Sequence, residues 1–108
     1  MILITDFDSD PMDISEREAI ILSGRVHPGE SSSSFVVEGL IEFLTSDEII
    51  AQRLRQTFVF KIVPMLNADG VIVGNTRCSI GGLDLNRHYL NPDLKGAPEI
   101  RAIKNVIR

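Results

Sequence analysis

The sequence predicts an α/β fold of three layers with a mixed, mostly parallel sheet, and three observations predict it. Two continuous apolar runs, at 19–22 and 57–65, have the β-branched and aromatic composition of strands with little polar alternation. Between them lie two stretches of helical spacing, 35–44 and 47–56. A strand, helices and a second strand over this length form the right-handed crossover of α/β sheets, which sets the two strands parallel, with room for an inserted strand between them. Runs without alternation are the pattern of strands covered on both faces, hence a helical layer on each side.

The elements follow in order. Residues 2–5 read as a short strand, and the acidic stretch after it (Asp6, Asp8, Asp10, Asp13, Glu16 and Glu18 against Arg17) reads as a solvated loop interrupted by Pro11. In 35–44 the residues Val36, Val37, Leu40, Ile41 and Leu44 share one broad face, a core stripe, and the serines at 31–34 offer N-cap hydroxyls. Thr45 with Glu48 makes a capping box for a helix over 47–56, whose early acids and late Arg53 and Arg55 suit the helix dipole. Asn67-Ala68-Asp69-Gly70 is turn material, 71–73 is briefly extended, Gly81-Gly82 turns again, and 91–98 is a loop. The spacing of Ile100, Ile103 and Ile107 predicts a helix over 98–108, with Arg101, Lys104 and Arg108 on its solvated face.

Composition narrows the function. The 108 residues carry eleven Lys and Arg against fifteen Asp and Glu, a net charge of -4, so there is no basic excess for binding nucleic acid. The length suits one domain, 1–108. Cys78 is the single cysteine, in keeping with a reducing compartment. The apolar start, 1–5, is too short and lacks the basic flank of a signal peptide, and no run approaches a membrane span, so the expected location is the cytoplasm.

Two stretches carry chemistry. The apolar run 19–22 leads into Ser23-Gly24-Arg25-Val26-His27-Pro28-Gly29-Glu30, where an imidazole and a carboxylate three positions apart are set at a strand end by a Pro-Gly turn. Both side chains are zinc ligands, reaching roughly 2 Å from the metal, and loops at the carboxyl ends of strands are where open α/β sheets place ligands. A sharp turn that merely carries His27 and Glu30 is the alternative. The second stretch runs from Gly74 to Tyr89. In it Arg77 and Arg87 flank the double glycine, with Asn86 beside Arg87. Guanidinium groups bind carboxylates through paired hydrogen bonds, so the cluster suits a ligand with a free carboxylate. In the alternative, Arg77 and Arg87 pair with Asp69 or Asp84 and pin loops.

Four motifs in order, 24–31, 60–71, 74–79 and Asp84-Leu85-Asn86-Arg87, closely resemble the zinc carboxypeptidase family, and within it the cytosolic branch that trims C-terminal or side-chain glutamates, notably from tubulin. The resemblance implies a Zn²⁺ cofactor with His27 and Glu30 as two of its three protein ligands. It implies further that Arg77 is catalytic, stabilising the oxyanion and contacting substrate, and that Asn86 and Arg87 hold the substrate's terminal carboxylate. Its partners would be acidic protein or peptide tails. Ala68 stands where the family has Pro and Tyr89 where it has Trp, changes of loop rigidity and packing. The family's third ligand, a His, and its general-base Glu lie downstream of the carboxylate clamp, and His88, which follows Arg87 directly, is expected to point away from the site. The chain therefore reads as the N-terminal half of a peptidase domain, without space for the branch's N-terminal β-sandwich. A non-catalytic remnant that binds acidic peptide ends is the other reading.

Overall fold

β3 (Phe58–Val63) is the centre of a three-stranded sheet of order β1-β3-β2 in the structure, a computed structural model describing residues 1–92 and 96–107. The expected loop at 91–98 thus falls partly, and Arg108 wholly, outside the described residues. β2 (Glu18–Ser23) pairs directly with β3 in parallel over six positions, Glu18↔Phe58 to Ser23↔Val63, with no strand inserted between them. β1 (Ile2–Ile4) pairs antiparallel along the other edge of β3 over three positions, making the sheet mixed and mostly parallel. α1 (Pro11–Glu16), α2 (Ser32–Thr45) and α3 (Ile49–Thr57) supply the helices between these strands.

The chain divides into two units. The first, Met1–Ser23 with Phe35–Pro64, holds the sheet. Its core is Ile4, Val37, Leu44, Phe60 and Ile62, with Ile20, Leu22, Leu40, Ile41, Leu54 and Phe58 packed against it. The registers Ile4↔Phe60, Ile20↔Phe60 and Leu22↔Ile62 put the strand members of this cluster on one face. Burial alternates over Phe60, Lys61 and Ile62 of β3, whereas Ile20, Ile21 and Leu22 of β2 are all half-buried, the even pattern of a run without polar alternation. Each fully buried Leu or Ile contributes about 1.5–3 kcal/mol relative to exposure.

Several local expectations are corrected. The acidic stretch contains a helix, because Asp10 accepts from the Met12 N–H at 2.8 Å as N-cap and Pro11 occupies the first turn, where its missing N–H costs nothing. Arg17, the one base there, donates to Thr5 Oγ1 at 2.9 Å, Ser9 Oγ at 2.6 Å and the carbonyls of Asp6 and Arg55 at 3.2 and 3.1 Å. The capping box of Thr45 and Glu48 does not form. Thr45 Oγ1 donates instead to the Ile41 carbonyl at 2.8 Å, closing the end of α2, and Arg55 Nη1 satisfies the Leu44 and Ser46 carbonyls at 2.6 and 2.9 Å. Val36, assigned to the core stripe, is 70% exposed.

The second unit comprises Gly24–Ser34 and the described residues from Met65 onward. Here 71–73 is not extended. Asn67 accepts from the Gly70 N–H at 3.1 Å as N-cap of α4 (Ala68–Ile72), a cap the sequence presented as a turn. A single 3₁₀ turn, η1 (Leu85–Arg87), and α5 (Pro98–Ile107) follow. α5 buries Ile100 and Ile103 and leaves Ile107 exposed, while Lys104 Nζ donates to the Tyr89 carbonyl at 2.7 Å.

Leu44→Ala is expected to destabilise by about 2–5 kcal/mol, because a methyl-lined cavity is left in a closed cluster, whereas Val36→Ala should stay within about 0.5 kcal/mol. Urea denaturation of the two variants checks this, and equal losses would contradict the assigned core.

Candidate metal and carboxylate site

All the residues singled out for chemistry fall in the second unit. The segments following β2 and β3 are joined backbone to backbone: the Leu66 N–H donates to the Gly24 carbonyl at 2.9 Å and the Asn67 N–H to the Arg25 carbonyl at 3.1 Å. The Asn67 side chain, fully buried, donates to the Val26 carbonyl at 3.3 Å while capping α4. Two glycines permit closer approach. The Gly29 N–H donates to the Thr76 carbonyl at 2.8 Å, and a Cβ on Gly29 would lie only 2.8 Å from that oxygen. At Gly70 a Cβ would meet Asn67 Oδ1 and Pro28 Cγ, both at 2.6 Å, so α4 presses onto the turn between His27 and Glu30.

His27, buried at 6% exposure, is gripped at both ring nitrogens: Nδ1 lies 2.9 Å from Glu30 Oε1 and Nε2 lies 2.9 Å from Asp84 Oδ1. An ionised carboxylate only accepts, and both partners are carboxylates, so in the neutral ring that donates Nε2–H to Asp84 the Nδ1 lone pair meets Glu30. Nδ1 and Oε1 are then two acceptors facing each other, an arrangement that a proton or a cation between them reconciles. Zinc bonded at about 2.0–2.2 Å to each, at a tetrahedral angle, would hold the two atoms about 3.3 Å apart. The donor set, a neutral imidazole oriented by an outer carboxylate plus one anionic oxygen, fits that ion with a small opening of the pair. No group of three or more His, Cys, Asp or Glu side chains able to hold a metal occurs among the described residues.

Asp84 also accepts from Arg77, with Nε and Nη2 each 2.9 Å from Oδ2, and from the Asn86 N–H at 3.0 Å as N-cap of η1. Arg77 thus takes the loop-bracing pairing with Asp84 that the sequence left open. It is half-exposed, and Nη1 has no partner among the described residues. Arg87 pairs with neither Asp69 nor Asp84; its Nη1 lies 3.4 Å from the Asn86 carbonyl, and both Asn86 and Arg87 are exposed on η1. His88 is half-buried, its backbone N–H bonded to the Leu85 carbonyl at 3.1 Å. Sequence reasoning treated Asp84 as a loop brace and missed it as the partner of His27, 57 positions away. It also passed over Asn67 and Arg25.

The Asp84 carboxyl is lowered from 3.8 to about 2, first by its hydrogen bond with His27, against partial burial, and then by Arg77 and the Asn86 N–H. A depressed acid stabilises the fold fully above its unfolded value, so this contribution is complete above pH about 4 and is lost as pH falls toward 2. A ¹³C NMR titration of the Asp84 carboxyl is expected to show its midpoint near 2. A midpoint at 3.8 would mean that the cluster is not formed.

Comparison with known proteins agrees along the whole chain. A family model described as zinc carboxypeptidase matches residues 2–104. Mouse cytosolic carboxypeptidase 2 is 48% identical over 108 residues, covering 100% of this chain and 12% of that protein. Mouse cytosolic carboxypeptidase 6 is 54% identical over 93 residues, covering 86% of this chain and 17% of its own. The crystal structure of a metallo-carboxypeptidase from Burkholderia cenocepacia superposes with a TM-score of 0.86 at 31% identity, over 97% of this chain and 28% of that one. A metallo-carboxypeptidase from Pseudomonas aeruginosa, solved with (2-guanidinoethylmercapto)succinic acid, gives 0.81 at 31% identity, over 92% of this chain and 26% of that one. The chain therefore spans under a fifth of the length of these two mouse relatives.

Proposed function

Because the chain belongs to the zinc carboxypeptidase family, we propose that it forms part of a cytoplasmic metallocarboxypeptidase that removes C-terminal residues, glutamates in particular, from acidic protein tails such as those of tubulin. The observation that carries this reading is the convergence of His27 Nδ1 and Glu30 Oε1 at 2.9 Å, with Nε2 held by Asp84. His27 and Glu30 are two protein ligands of the metal, and zinc, when bound, supplies Lewis-acid polarisation of the scissile carbonyl. The chain's own residues account for the rest of the recognition. Asp84 keeps the proton on Nε2, leaving Nδ1 its lone pair. Arg77, anchored through Nε and Nη2, offers Nη1 to negative charge developing on the carbonyl oxygen. Asn86 and Arg87, unpaired with any acid among the described residues, receive the free terminal carboxylate, which confines cleavage to chain ends. The names of the cytosolic relatives support the location, and no helix among the described residues is long and apolar enough to cross a membrane.

The test is hydrolysis of a peptide ending in glutamate by a protein carrying these 108 residues within a complete catalytic domain. Activity is expected to vanish with a zinc chelator, return with zinc, and be abolished by His27→Ala. Retained peptide binding without hydrolysis in the zinc-loaded protein would instead favour a module that only captures acidic ends.

Arg87→Ala should lower kcat/KM on such a peptide on the order of 10²-fold, with a much smaller effect on a substrate whose terminal carboxylate is amidated. Equal activity of variant and native protein on the free acid would return Arg87 to a purely structural role.

A further inference from the structure

Arg25 is the one non-glycine residue among those described with a left-handed backbone, at φ 53. A side chain is accommodated there only where its surroundings over-determine the conformation, and such residues gather at ligand sites. The surroundings of Arg25 do so through its N–H, its carbonyl, Nε and Nη1. Its N–H donates to Ser33 Oγ at 3.0 Å and its carbonyl accepts from the Asn67 N–H at 3.1 Å. Its Nε donates to the Pro28 carbonyl at 2.9 Å and its Nη1 to Ser34 Oγ at 2.9 Å. The guanidinium thereby spans the turn that presents His27 and Glu30, and it holds that turn by Pro28, between the two.

We propose that Arg25 is a positioning residue for a divalent-metal site, its kinked backbone steering the chain out of β2 and its guanidinium fork fixing the Pro28 carbonyl so that His27 Nδ1 and Glu30 Oε1 converge. The proposal rests on the reading of His27 and Glu30 as metal ligands. Glycine would adopt this φ without strain but would leave the Pro28 carbonyl and Ser34 hydroxyl unbridged. Lysine, a point donor, would keep the strain and lose the fork. Selection for a plain turn would favour glycine; only the fork explains an arginine at a backbone angle that disfavours it.

The experiment compares native protein, Arg25→Gly and Arg25→Lys by ¹⁵N relaxation, amide exchange and thermal unfolding, without metal. In Arg25→Gly the thermal midpoint is expected to hold or rise through strain relief, while Gly29 and Glu30 lose order, from order parameters of about 0.85 toward 0.6. The Gly29 amide should exchange at least tenfold faster. Arg25→Lys should loosen the turn equally with no gain in midpoint, and it carries the test alone if the glycine variant does not fold. Native order at residues 29 and 30 in both variants would overturn the proposal. A second arm titrates zinc chloride and follows the His27 ring signals, with the variants expected to need at least fivefold more zinc. An equal zinc response in all three proteins would also remove the positioning role. No response in the native protein would instead overturn the metal reading, leaving the metal-free comparison to decide whether Arg25 holds the turn.

Discussion

A carboxylate that can only accept, placed 2.9 Å from His27 Nε2, sets the chemistry of the whole second unit. When the neutral ring donates Nε2–H to it, the Nδ1 lone pair is aimed at Glu30. The other oxygen of Asp84 anchors Arg77 by two nitrogens, so one side chain orients both the candidate metal ligand and the candidate oxyanion donor. The lowered pKa of Asp84 follows from these donors and keeps it an acceptor throughout the neutral range.

Such a cluster needs a rigid frame, and the frame is backbone. The chain leaves β2 and β3 at the same end because those strands are parallel, and the segments beyond them exchange N–H and carbonyl groups at Gly24, Arg25, Leu66 and Asn67. Buried backbone groups must be paired, so these bonds constrain the turn more firmly than side-chain packing alone would. Gly29 and Gly70 contribute by having no Cβ where another backbone or a buried amide already stands. The His-Pro-Gly-Glu turn is then fixed from three sides: by Thr76, by α4, and from within by Arg25.

The sheet unit obeys a different constraint. Its stability comes from one apolar face, where Ile4, Phe60 and Ile62 meet Val37 and Leu44 from α2. Polar side chains there close helix ends and loops: Arg17 gathers four oxygens of its own unit, and Arg55 caps the last carbonyls of α2. These arginines donate to neutral carbonyl and hydroxyl oxygens, whereas Arg77 is paired with the Asp84 carboxylate and keeps Nη1 open.

Periodicity and composition alone were enough to establish the α/β class, the parallel pairing of β2 with β3, and helices α2, α3 and α5, because burial of an apolar stripe is a local property of spacing. The residue types at His27, Glu30, Arg77, Asn86 and Arg87 were legible for the same reason: their chemistry belongs to the side chain wherever it lies. Helix α1, the failed capping box at Thr45 and the helical turn at 68–72 were not, since each depended on which of several available partners a short polar side chain took. The place of Asp84 was hidden more deeply. Its contact with His27 joins residues 57 positions apart, and no pattern along the chain encodes a distance closed only when two strand-end segments pair their backbones. Tertiary structure alone decided which carboxylate orients the imidazole, which arginine is anchored, and why a residue with a side chain occupies the left-handed turn at position 25.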